Sequence, residues 1–193
     1  MVEETHHMPI KKILAVITAV LVASAANALS PTDGHIAGKS YVNTYFHFSY
    51  SWPAALNPAK LPAQPAGGNS AKAYVYPLFS ARQGNQPFGV VVVAEKLNVA
   101  GPHSTGLKSS SDYVNRIARS LRPGPVLSNI QQYQKRNAHG MVFDELSYRM
   151  NGKPAAVIAT QVGEYLIVFK CNAQSEADIA GMERSALAMR MLK

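Results

Sequence analysis

The sequence predicts an α+β fold: an α/β/α sandwich whose central, mostly antiparallel sheet of about six strands is flanked by two main helices, plus an N-terminal β segment. Three observations carry the prediction. FGVVVVA at 88–94 and YLIVFKC at 165–171 are apolar on both faces, as strands are in a sheet covered on each side. Asn151-Gly152 separates two strand-like runs, and Asn-Gly is a strong hairpin signal because both central positions need positive φ. Finally, Ser109-x-x-Asp112 and Ser175-x-x-Asp178 each open a segment with apolar residues at spacings three and four.

The elements follow in order. Residues 29–40, with Pro31, Gly34 and Gly38, read as a flexible polar lead to a single domain over 41–193. YVNTYFHFSYSWP at 41–53 reads as one aromatic strand with Phe46, Phe48, Tyr50 and Trp52 on a common face, ended by Pro53. A proline-rich loop with Gly67-Gly68-Asn69-Ser70 at its far end leads to a strand at 74–80, placed at an edge by Pro77. The buried run 88–94 follows, then a Gly/Ser loop over 97–108 and the first helix, which runs to about Leu121. Its stripe is Val114, Ile117 and Leu121, and Arg116, Arg119 and Arg122 face water. Pro123-Gly124-Pro125 stops it. Next come a polar outer strand at 126–134, strands at 140–150, 154–162 and 165–171, and a last helix with Ile179, Met182, Ala186 and Met189 on one stripe.

The chain's beginning carries an address. Lys11-Lys12, an apolar run over 13–22 and Ala26-Asn27-Ala28 supply the three parts of a secretory signal peptide in order. A membrane span needs about 20 apolar residues, and this run falls short. The expectation is cleavage between Ala28 and Leu29, leaving residues 29–193 in the periplasm or medium without a transmembrane anchor. Net charge is +8 over 193 residues, which outside the cytoplasm suits an envelope protein or anionic surface component as partner. Nucleic acid is disfavoured, because export removes the target and the aromatics cluster at 41–52 rather than among the basic residues. Apolar content of 47% against 16% charged describes a core-forming chain.

Catalytic and metal chemistry find little support. The lone cysteine, Cys171, can form no intramolecular disulfide, and it shares a strand face with Ile167 and Phe169, where a thiol acts as a small hydrophobe. Beyond the leader, histidines 35, 47, 103 and 139 are scattered, with no metal-binding spacing, so no metal and no cofactor is expected. Asp144-Glu145 are neighbours on a strand and point to opposite faces, and they read as a solvated pair. No Gly-x-Ser-x-Gly elbow is present, and no catalytic residue is assigned.

Two classes of function remain. One is a non-catalytic accessory or binding module whose partner surface is the basic turn Lys135, Arg136 and His139 together with Arg116 and Arg119 on the first helix. The other is an exported hydrolase assembled from residues such as His139, Asp144 and Ser109.

The order of elements resembles the PsbP-like and Mog-like superfamily. The likeness rests on the leader, the Y-x-N-x-Y-F-x-F-S-Y-S-W-P segment at 41–53, FGVVVVAEKL, the helix SSDYVNRIARSL, the Asn151-Gly152 hairpin, EYLIVFKC and a terminal helix ending on basic residues. The resemblance implies an α/β/α sandwich in a superfamily of mostly non-catalytic accessory and binding proteins, and it brings no catalytic residue with it.

Overall fold

β-branched and aromatic residues dominate the apolar stretches, and they pack as strands. The structure, a computed structural model, describes residues 29–61, 74–99 and 106–193. The chain divides into Met1–Ser30 and Pro31–Lys193, and the fold described here is that of the second unit. The expected signal segment, with Ala28, lies outside the described residues; Leu29 is exposed.

Twelve strands and two helices occur among the described residues. In chain order they are β1 (Gly34–Ala37), β2 (Ser40–Asn43), β3 (Phe48–Ser51), β4 (Asn57–Pro58), β5 (Val75–Arg82), β6 (Gly89–Lys96), α1 (Ser110–Ser120), β7 (Leu127–Ser128), β8 (Gln134–Ala138), β9 (Met141–Met150), β10 (Lys153–Val162), β11 (Tyr165–Asn172), α2 (Glu176–Leu187) and β12 (Arg190–Met191). The large sheet has eight strands in the order β4-β5-β6-β11-β10-β9-β7, with β8 also on β9, and all its pairs are antiparallel. A second antiparallel sheet has the order β1-β2-β3-β12.

The expected helix-flanked α/β/α sandwich is not what forms. Strands take up 46% of the described residues and helices 16%, so the fold is mostly β, built on two antiparallel sheets of four and eight strands. The cause lies in 41–53, which is not one strand. The Asn43 side chain accepts the Phe46 amide at 2.8 Å, His47 takes φ +52°, and the chain folds back as the β2–β3 pair. The expected lead supplies β1, which pairs with β2, and β12 closes the far edge on β3. This sheet delivers Tyr41, Tyr50 and Trp52 onto Phe79 and Phe169 of the large sheet, with ring centroids 4.8–6.0 Å apart. Rings from a second sheet thus cover much of a face expected to lie under helix.

The large sheet is buried on both faces. Val92, Ile158, Ile167, Phe169 and Cys171 meet the aromatic sheet and α2, whereas Val93, Val157, Leu166 and Val168 meet Tyr113 and Val114 of α1. Ser109 caps α1 by accepting the Asp112 amide at 3.1 Å, and Ser175 caps α2 by accepting the Asp178 amide at 3.2 Å. Each cap is worth about 1 kcal/mol. The Asn151-Gly152 turn has φ +53° and +72°, as the hairpin reading requires. The expected outer strand at 126–134 shrinks to β7, because Asn129 turns to φ +48° and the chain leaves the ladder.

Candidate functional site

The expected basic turn is mostly strand. Lys135 and Arg136 belong to β8, and the turn itself is His139-Gly140, with φ +50° and +76°. Alternation then separates the two cations. Lys135 stands opposite Asp144 on the α1 side of the sheet, and Arg136 stands opposite Phe143 on the α2 side. Arg116 and Arg119 lie exposed on α1, and Arg116 is close enough to Glu95 to favour its ionised form. Lys135 and Arg136 therefore do not share one face.

The hydrolase candidates do not assemble either. The Ser109 hydroxyl is committed to the α1 cap, and no hydrogen bond to the His139 side chain occurs among the described residues. Asp144 and Glu145 do point to opposite faces, but the solvated reading fails: they are 1% and 4% exposed. Asp144 accepts Ser110 Oγ at 2.5 Å and Ser111 Oγ at 3.1 Å, at the positive end of α1. It has become an anchor between helix and sheet. The thiol of Cys171 is buried, and its pKa is pushed up first by burial and then by the charges of Glu183 and Glu145.

Glu145 opens a different site. Its carboxylate faces a cleft of about 370 Å³ between α2 and strands β8, β9 and β10. Arg136 Nε donates to Glu145 Oε2 at 3.1 Å. Ser147 Oγ lies 3.5 Å from Glu145 Oε1 and 3.3 Å from Glu183 Oε1 of α2. Burial, followed by the charge of Glu145, raises the Glu183 carboxyl above its ordinary value. At the other end Arg149 of β9 pairs with Glu176 of α2. The alternation of β9 (Phe143, Glu145, Ser147, Arg149) aims these groups one way, and α2 brings two carboxylates across from them. Sequence reading reached Arg136 and Glu145 but not Ser147 or Glu183; the available signal was two carboxylates inside the otherwise apolar MVFDEL.

Among the described residues no group of three or more His, Cys, Asp or Glu is placed to hold a metal ion, and no helix is long and apolar enough to cross a membrane. The cleft is instead an ion-paired, hydrogen-bonding surface suited to recognising polar groups.

No protein-family model matches the chain, and no curated protein matches it. Among solved structures it is similar to cyanobacterial PsbP (CyanoP) from Synechocystis sp. PCC 6803, determined in solution. The likeness has a TM-score of 0.51 at 12% identity and covers 87% of this chain and 98% of that one. The fold is PsbP-like. It is the fold that is shared at this identity, so the site rests on the geometry of this chain. The PsbP-like fold agrees with half of the resemblance read from 41–53 and the elements after it.

Proposed function

We propose that the chain is an exported, non-catalytic accessory or binding protein of the cell envelope, a PsbP-like and Mog-like module that holds a partner rather than transforming a substrate. The observation that carries this reading is the PsbP-like fold over 87% of the chain. It is supported by the state of the polar side chains. Ser109, Ser110, Ser111 and Asp144 are spent on helix capping and anchoring, and the thiol sits in the core with its pKa raised, unsuited to attack. The leader at 8–28 and the +8 charge suit an anionic partner met outside the cytoplasm. Lys135 and His139, exposed at the β8 hairpin, are its proposed contacts, with Arg116 and Arg119 as a second basic surface.

The test is cross-linking of tagged protein in native envelopes, followed by mass spectrometry. A dominant partner lost with Lys135→Glu, while the unfolding midpoint holds, is expected. Arg136 is left intact because it neutralises the buried Glu145. A partner retained by both Lys135→Glu and Arg119→Glu would remove these basic surfaces from the reading. Release of the protein with residues 1–28 still attached would remove cleavage after Ala28 from the reading.

A further inference from the structure

We propose that the outer edge of β8 takes up an extended acidic segment of a partner protein, which pairs with it as one further strand of the large sheet. The proposal rests on the accessory reading and deepens it, giving the anionic partner met at Lys135 a backbone conformation.

Main-chain geometry leaves this edge open. β8 pairs with β9 and, among the described residues, with no strand on its other side. At five residues it is longer than the other edge strands, β1 with four and β4, β7 and β12 with two each. The two-residue turn His139-Gly140 makes Ala138 and Met141 a hydrogen-bonded pair, and such pairs alternate along an antiparallel ladder. Arg136 with Phe143 and Gln134 with Glu145 are then bonded pairs. Lys135 and Asn137 fall between them, so their N–H and C=O groups point away from β9. No main-chain bond to either residue from outside the ladder occurs among the described residues, and both residues are exposed. Two donors and two acceptors thus face outward in the order that strand addition uses.

Charge selects the occupant. Arg136 is matched by Glu145 on the α2 side, whereas Lys135, on the α1 side, has no ion pair among the described residues. Asp144, opposite Lys135, is held by Ser110 and Ser111. With a net charge of +8 behind it, the edge attracts a strand that sets a carboxylate beside Lys135. A second copy of the chain fits badly. Antiparallel pairing of two β8 edges centred on either cation sets Lys135 against Lys135 or Arg136 against Arg136, and like charges directly opposite are destabilising. A lysine on an edge wards off other strands; here it does so by charge, repelling basic edges and admitting acidic ones.

The experiment is titration of the full chain, followed by NMR, with a short capped peptide alternating valine and glutamate. Saturable binding is expected, with slowed exchange of the Lys135 and Asn137 amide protons. The same peptide N-methylated at its glutamates, the residues set opposite Lys135 and Asn137, keeps its charge but loses the donors. It should bind at least about tenfold more weakly. Lys135→Glu turns an attraction into a repulsion and should also cost about tenfold. Asn137→Pro removes one outward N–H, keeps the bonded pairs with β9, and should weaken binding as well. The methylated peptide needs no altered protein, so the test survives a variant that folds poorly. No saturable binding, or equal binding of the methylated peptide, overturns the proposal. In the envelope cross-linking, a partner lost with Lys135→Glu but kept by Asn137→Pro overturns strand addition and leaves the accessory reading standing. A partner lost with both variants supports strand addition.

Discussion

Replacing Arg136 by methionine takes away the guanidinium that faces Glu145 and keeps most of the alkyl stem. The Glu145 side chain is 5% exposed and that of Arg136 48%, with Nε and Oε2 3.1 Å apart. Stranding a fully buried charge costs about 3–5 kcal/mol. Here one partner is half in water, so solvent enters where the guanidinium leaves. The expected loss falls nearer the worth of a hydrogen bond to a charged group, about 2 kcal/mol. The assay is urea unfolding at pH 7, where the midpoint should fall with an unchanged slope. The mechanism has its own signature: Glu145→Gln in the Arg136→Met background removes the stranded charge and should restore much of the loss. A deficit below about 0.5 kcal/mol at pH 7, or one that Glu145→Gln does not relieve, would refute the buried-ion account.

Three further outcomes are expected. Glu183 has a folded pKa raised by burial and by Glu145, so its favourable contribution is complete below about pH 4.3 and fades as pH rises. Glu183→Gln should thus be more stable than wild type at pH 7 and equal to it near pH 4, as read from thermal midpoints. A Cβ at Gly89 would run into the main-chain oxygen of Ala81 and lie 2.9 Å from the Arg82 Cα, so Gly89→Ala must push β5 and β6 apart. It should lose about 3 kcal/mol in urea unfolding, and a loss under 1 would show that the pair can yield. The Ser80 hydroxyl is buried with no hydrogen-bond partner among the described residues, so Ser80→Ala should be neutral or stabilising by up to about 1 kcal/mol. A clear loss there would reveal a partner.

Local signals found the elements that depend on local physics. The Ser109 and Ser175 caps, the Asn151-Gly152 turn and the two-faced strands at 88–94 and 165–171 lie where capping, positive φ and burial demand. The second sheet was hidden because period-two aromatics look the same whether a segment runs straight or doubles back. Only Asn43, whose amide ties Phe46, Tyr41 and Pro31 together, marks the fold-back, and one asparagine inside an aromatic run is a faint signal. Charge gave a similar half-answer. Strand alternation puts Asp144 and Glu145 on opposite faces, yet whether each face is wet depends on α1 and α2 arriving from elsewhere in the chain. The cleft joins 134–136, 145–149 and 176–183, and no spacing rule connects segments so far apart.

The small sheet also sets a timetable. Its first three strands are made early, but β3 gains its outer neighbour only when residues 190–191 arrive, and the Leu192 amide then bonds the His47 carbonyl at 2.7 Å. That pairing closes a loop of about 140 residues, among the costliest contacts in the chain to form. Until those residues arrive, β3 keeps an unpaired outer edge, and a cut before Arg190 leaves the strand carrying Phe48 and Tyr50 with that edge open.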